Sequence, residues 1–203
     1  MRRSQNLTTK LSNEGKLKIT KIEAAVFQLE TAIELWFNGG DAASIVTLAF
    51  AAHEIIYQIN KAHPSGSGTL LAPDKKLFKD AKILDEWETI FKLDSYFCKH
   101  GGGTPNETHF LAHKNLKYVI TDAIRMFNAC GYMRRGYFQI FQSWIWTKYP
   151  EFFSTKQIDL GAQKWTIREV IRAGKKEFFN SMKISLSRDF SAPWTRLIQK
   201  NNP

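Results

Sequence analysis

Apolar residues recur at steps of three and four along residues 20–61, which is the spacing of amphipathic helices. The pattern breaks once, at Gly39-Gly40-Asp41, and then resumes. Thr20 and Glu23 have the spacing of a capping box at the first helix start, and Asp41 is a suitable cap for the second helix. The sequence therefore predicts a helical hairpin with two apolar faces, which must both be buried against further helices.

The rest of the chain continues the helical spacing, with clear interruptions. A loop rich in proline, glycine and serine follows the hairpin, and a third helix is predicted from Asp74 to about His100. Three glycines end that helix, and a short helical turn is predicted at Thr104-Pro105-Asn106-Glu107. Later helices are predicted to begin near Leu116, Tyr137 and Thr166. The predicted fold class is an all-α bundle of about six helices, built on the N-terminal hairpin.

The chain is predicted to form one domain with two less regular ends. Residues 1–16 are polar and aperiodic and are predicted to be a flexible arm, whereas residues 17–185 form a single helical domain. Residues 186–203 are predicted to be an irregular tail. Inside the domain, the segment from Tyr137 to Tyr149 is apolar nearly all round, so it is either the centre of the core or an interface.

The composition is typical of a cytosolic globular protein. The 203 residues are 43% hydrophobic, which is enough for a sizeable core. The longest apolar runs are too short and too interrupted by charge to span a bilayer, and the start of the chain lacks the apolar segment of a signal peptide. Cys98 and Cys130 lie among apolar helical residues, as expected of reduced, buried thiols. The sequence predicts a cytoplasmic location and no membrane partner.

The net charge of +10 is concentrated in the second half of the chain. Residues 101–203 contain 16 Lys/Arg against 7 Asp/Glu, whereas residues 1–100 contain 13 against 12. A field of one sign can attract RNA, another polyanion or an acidic protein. The alternative is a solvated surface that keeps the protein soluble.

A row of cations on the last helix is the candidate nucleic-acid-binding site. These residues recur at helical steps on one side of the helix, opposite its apolar residues: Lys164, Arg168, Arg172, Lys175 and Lys176. Such a face can contact successive phosphates, and Arg134 and Arg135 are candidates to extend it. The alternative is the solvated face of an amphipathic helix, because no aromatic platform for bases is apparent beside it.

Three histidines have positions that bear on metal binding or catalysis. His109 and His113 are four residues apart and could share a helix face, but no third ligand is apparent and no glutamate follows His109. We therefore predict no metal ion and no cofactor. His53 lies at the edge of an apolar stripe, where a buried, hydrogen-bonded structural histidine is favoured over a catalytic one.

His100 and Lys99 are the candidate catalytic residues. They end the third helix, and a histidine beside a lysine can transfer protons during cleavage of a phosphodiester. The alternative is structural, because a cation near a helix C-terminus interacts favourably with the exposed carbonyl groups.

Several segments of the chain resemble a known protein family. They are Phe27 to Phe37, Gly39-Gly40-Asp41, Ile45 to Ile56, Tyr96 to His100 and Tyr149 to Phe153. Over about residues 20–153, the chain resembles uncharacterised bacterial α-helical proteins, which are in turn similar to the HEPN superfamily. HEPN domains are often RNases of toxin–antitoxin, phage-defence and CRISPR systems. The resemblance implies a bacterial homodimer, joined through the aromatic-rich helix or the third helix.

The resemblance also has consequences for catalysis. In active HEPN RNases, an arginine precedes a histidine by a few positions, and two protomers join these motifs to cleave RNA without metal. His100 matches the histidine, but Asp94 stands in the place of the arginine. A carboxylate there repels phosphate and stabilises no developing negative charge.

We therefore predict a non-catalytic or weakly catalytic module that either associates with nucleic acid or has a regulatory role. One alternative is a metal-independent endoribonuclease centred on His100 and aided by Lys99. The other is a scaffold whose basic half binds a protein partner.

Overall fold

A computed structural model describes residues 18–71, 81–99, 104–133, 136–149, 167–186 and 195–196. Within these ranges the chain forms six α-helices: α1 (Lys21–Asn38), α2 (Ala42–Ala62), α3 (Ala81–Lys99), α4 (Leu116–Ala129), α5 (Tyr137–Lys148) and α6 (Ile167–Ser185). A 3₁₀ helix, His113–Asn115, leads into α4. Strands β1 (Tyr132–Met133) and β2 (Thr195–Arg196) pair antiparallel. The prediction of an all-α bundle is confirmed.

The predicted start and break of the N-terminal hairpin are present in the structure. The Glu23 carboxylate accepts the Thr20 N–H at 2.7 Å, and the Thr20 hydroxyl accepts the Glu23 N–H at 3.3 Å, which completes the capping box. At the break, Gly39 adopts left-handed angles (φ 71°, ψ 32°) that favour glycine. Asp41 then caps α2 by accepting the Ser44 N–H at 2.7 Å. These local features define both ends of α1 and the start of α2, and none of them needs a long-range contact.

The core forms where α1 packs against α2, α5 and α6, and where α2 packs against α4. Ala49 and Ala52 of α2 are fully buried, and their small side chains allow neighbouring helices to approach closely. On α1, Phe37 stacks on Phe179 of α6, with ring centroids 4.8 Å apart. The same ring makes an edge contact with Phe141 of α5. Phe37 is therefore the aromatic centre that joins three helices.

The aromatic-rich helix α5 belongs to the core. Five of its apolar side chains are buried within the chain: Phe138, Ile140, Phe141, Trp144 and Ile145. The sequence pattern is compatible with either a core segment or an interface, and the structure places these side chains in the core.

Two features were missed by the sequence patterns. Gly174, at φ 73° and ψ 165°, interrupts α6, and this conformation is essentially restricted to glycine. The 195–196 strand falls in the segment predicted to be an irregular tail, where it pairs with β1. Strands of two residues are too short to produce a readable alternation.

Among the described residues, one helix, α2, has the length and apolar composition that crossing a membrane requires. Core helices of soluble proteins share these properties, and Val46, Ala49 and Ile56 of α2 belong to the apolar core. A single helix of this kind is weak evidence for a membrane span.

Replacing Phe37 by alanine should remove the aromatic contact between the hairpin and α6. We expect a loss of about 3–5 kcal/mol in the free energy of unfolding, the usual cost of truncating a fully buried phenylalanine. Chemical denaturation of Phe37→Ala would measure it. Phe27→Ala is the matched control, because Phe27 lies on the same helix and is 51% exposed. Equal losses in the two variants would contradict the central position of Phe37.

Candidate nucleic-acid interface

Several of the predicted site residues lie outside the described part of the chain. They are His100, Arg134, Arg135 and Lys164, and for Arg168 the structure describes the backbone alone. Four predicted residues remain for analysis: Lys99, Arg172, Lys175 and Lys176.

The cations of α6 do not form one continuous helical face. Gly174 interrupts the helix between Arg172 and Lys175, so the regular helical step does not carry across this position. Arg172 and Lys176 are exposed, whereas Lys175 is partly buried. The prediction of a single row is corrected here, because the backbone of Gly174 changes the direction of the residues that follow it.

Lys175 turns inward onto the end of α1. Its Nζ donates to the Trp36 carbonyl oxygen at 2.5 Å and lies 4.6 Å from the centre of the Trp36 ring. Burial lowers the pKa of Lys175. The last turn of α1 has no basic residue of its own, so Lys175 supplies the cation that favours a helix C-terminus. Lys175 therefore has a structural role at the end of α1.

Lys183 is also engaged in the fold. Its Nζ donates to Glu34 Oε1 at 2.8 Å, and Tyr137 donates to Glu34 Oε2 at 3.1 Å. The hydrogen bond to Glu34 raises the pKa of Lys183. These bonds connect α1, α5 and α6. Lys175 and Lys183 therefore face α1, while Arg172 and Lys176 are the exposed cations among the described side chains of the predicted row.

Asp94 is buried near the end of α3, and both of its carboxylate oxygens have partners. His109 Nε2 lies 2.7 Å from Oδ1, and the Ala112 N–H donates to Oδ2 at 2.9 Å. We call this arrangement of Asp94, His109 and Ala112 the Asp94 clamp. It holds the non-helical segment 104–112 against α3. His109 is thus the partner of the acid that stands in the place of the expected arginine.

Lys99, the described member of the candidate catalytic pair, lies at the exposed end of α3. Its Nζ is 5.9 Å from the centre of the Phe50 ring on α2. Partial burial lowers the pKa of Lys99, and the charge of Glu54 opposes this effect. Lys99 is therefore near α2, and its relation to the His100 side chain lies outside the described residues.

A second buried carboxylate, Asp122 of α4, holds the loop after α2. His53 Nε2 lies 3.0 Å from Asp122 Oδ2, and this oxygen also accepts the Thr69 hydroxyl at 2.6 Å and the Leu70 N–H at 3.1 Å. The other oxygen accepts two bonds from Arg125. His53 is buried and hydrogen-bonded, in agreement with the structural histidine predicted.

The Asp122 cluster does not have the geometry of a catalytic triad. Thr69 and Asp122 approach the same ring nitrogen of His53, whereas a triad needs the acid and the nucleophile on opposite nitrogens. Arg125 also bonds the loop through the Ser67 hydroxyl at 2.7 Å. The cluster fastens residues 67–70 to α4.

Neither metal binding nor similarity assigns a function. In the described ranges, no group of three His, Cys, Asp or Glu side chains is placed to hold a metal ion. Comparison with protein-family models, with curated proteins and with solved structures found no match.

Removing the Asp122 charge should make stability less dependent on pH. Burial favours a higher pKa for Asp122, but hydrogen bonds from His53, Thr69 and Arg125 outweigh it and hold the pKa below its ordinary value. The ionised form therefore stabilises the fold above the unfolded pKa of about 3.9, and this contribution is lost as the pH falls through the lower folded pKa.

We expect Asp122→Asn to cost about 2–3 kcal/mol near neutral pH, because several bonds to a charged group are weakened. The difference from wild type should shrink as the pH falls through the lowered folded pKa of Asp122. Urea denaturation at neutral pH and over a series of acidic pH values measures this, with Glu107→Gln as an exposed-acid control. A pH-independent difference would show that the charge of Asp122 is not what stabilises the loop.

Proposed function

We propose that this protein is a non-catalytic, HEPN-like helical module that associates with nucleic acid in a bacterial cytoplasm. The resemblance suggests a regulatory role in a defence or toxin–antitoxin system. Two observations support the proposal: the carboxylate of Asp94 is hydrogen-bonded within the fold, and the side chains of Arg172 and Lys176 are exposed.

The Asp94 clamp is the observation that carries the non-catalytic part. An RNase of this kind needs a cation near its histidine to stabilise the negative charge that develops on the phosphate. Here the corresponding side chain is an acid, and both of its oxygens hold the 104–112 segment. If the Asp94 carboxylate left these bonds to take part in a reaction, the 104–112 segment would be released. The clamp therefore supports a structural use of the position.

Charge supports the nucleic-acid part. Arg172 and Lys176 are exposed on α6, in the half of the chain that has a net charge of +9. Exposed cations can contact phosphates and release the counterions that surround a nucleic acid. Lys175 and Lys183 keep this helix in place through bonds to α1.

Assembly as a homodimer stays a prediction. Because the apolar side chains of α5 are buried within the chain, α3 is the remaining helix of the two proposed for the interface. Binding of a separate protein partner is likewise a prediction.

RNA affinity should fall steeply with salt, and this fall should depend on Arg172 and Lys176. On a plot of log binding constant against log salt concentration, each lost phosphate contact reduces the slope by about 0.7 for a single strand. We expect Arg172→Gln/Lys176→Gln to flatten the slope by about 1.4 and to weaken binding. Fluorescence anisotropy with a labelled RNA measures both quantities.

The matched control is Lys18→Gln/Lys21→Gln, which removes the same charge from exposed positions at the start of α1. This control should keep the wild-type slope, apart from a small effect of net charge. Equal slopes for the two double variants would refute the assignment to α6. Absence of RNA binding by the wild type would refute the proposed function itself.

A further inference from the structure

Three aromatic side chains are exposed where α3 meets the 104–112 segment. Phe110 is 98% exposed, Tyr96 is 64% exposed and Phe97 is 38% exposed. Leu93, also exposed, lies one turn before Tyr96 and Phe97, so the three residues of α3 share one helix face. We call Tyr96, Phe97 and Phe110 the aromatic surface. Large aromatic rings are normally buried, so three exposed rings on two adjoining segments are a candidate binding surface.

The Asp94 clamp fixes the two parts of the aromatic surface relative to each other. His109, the residue before Phe110, bonds to Asp94 and packs on Phe97 with ring centroids 5.1 Å apart. The Ala112 N–H, two residues after Phe110, bonds to the same carboxylate. Phe110 is thus held between two anchored residues. Because the backbone is anchored on both sides of Phe110, a ligand that binds this ring does not first have to order the segment.

The charges around the aromatic surface favour an anion. Asp94 is buried and paired, and the exposed charged side chains of residues 92–99 and 104–114 are three lysines and one glutamate: Lys92, Lys99, Lys114 and Glu107. The carboxylate of Glu54 on α2 also acts on Lys99, so the surplus of positive charge is small. His113 is also exposed. Cations interleaved with aromatic rings are the combination with which proteins bind single-stranded nucleic acid, since phosphates meet the cations and bases stack on the rings.

We propose that the aromatic surface binds single-stranded nucleic acid by stacking of bases on Phe110, Tyr96 and Phe97. A duplex keeps its bases stacked inside the helix and offers no base face to these rings, so single strands are the class that fits. An apolar peptide fits less well, because the exposed side chains are mostly aromatic and the nearby charges are mostly positive. This inference rests on the proposed function and adds a substrate class and a second contact region, separate from Arg172 and Lys176.

The test compares two labelled oligonucleotides of equal length, one with unstructured bases and one abasic. Both have the same phosphates, so any difference in affinity comes from the bases. The wild type should bind the base-containing strand about tenfold more tightly or better, from roughly 1–3 kcal/mol per stacked base. Tyr96→Leu/Phe110→Leu keeps an apolar surface but should remove most of this preference, since Phe97 is then the one ring left, and Tyr96→Phe should retain it.

The controls separate this inference from the proposed function. Phe27→Leu removes an exposed ring elsewhere and should keep the preference. Arg172→Gln/Lys176→Gln should lower the affinity for both strands by the same factor. Equal wild-type affinity for the two strands would overturn the inference and leave the proposed function standing, whereas no binding of either strand would overturn both.

Sedimentation of the same variants tests the competing use of this surface. If Tyr96→Leu/Phe110→Leu converts a dimer to a monomer without changing the preference for bases, the surface is an interface between copies and the inference is wrong. An unchanged sedimentation coefficient with loss of the preference supports it.

Discussion

The stacking of Phe37 on Phe179 is the contact on which the arrangement of charged groups depends. It brings α6 against α1, and in this arrangement Lys175 reaches the Trp36 carbonyl and Lys183 reaches Glu34. Gly174 makes this possible, since its backbone angles allow α6 to change direction just before Lys175. An aromatic contact in the core thus decides which cations of one helix are used in the fold. Arg172 and Lys176 stay exposed to solvent.

Two buried carboxylates perform the same task at different places in the bundle. Asp122 fastens the loop after α2, and Asp94 fastens the segment before α4. In each case a histidine and a backbone N–H bond to the acid, so a non-helical segment is held against a helix. A buried charge is tolerated because its hydrogen bonds replace those that water would make. This explains how a bundle of simple helices can hold exposed groups such as Phe110 in fixed positions.

Local features of the fold could be predicted from sequence, whereas long-range polar contacts could not. The cap at Thr20, the break at Gly39 and the burial of His53 follow from residue type and spacing over a few positions. The hydrogen bond between Lys175 and Trp36 joins residues 139 positions apart, and no local sequence pattern predicts it. The structural role of Asp94 could not be predicted either, because it depends on hydrogen bonds to His109 and to the Ala112 N–H, which lie 15 and 18 positions away. Gly174 was missed because a single glycine is compatible with a continuous helix.

We propose that Asp94 has a structural role and that the protein does not cleave RNA. The most direct measurement is cleavage of labelled total RNA in EDTA by the wild type and by His100→Ala, with His113→Ala as a control for an exposed histidine. We expect intact RNA in all three reactions, from preparations that still bind RNA. Cleavage by the wild type and by His113→Ala, but not by His100→Ala, would contradict it and assign an endoribonuclease centred on His100.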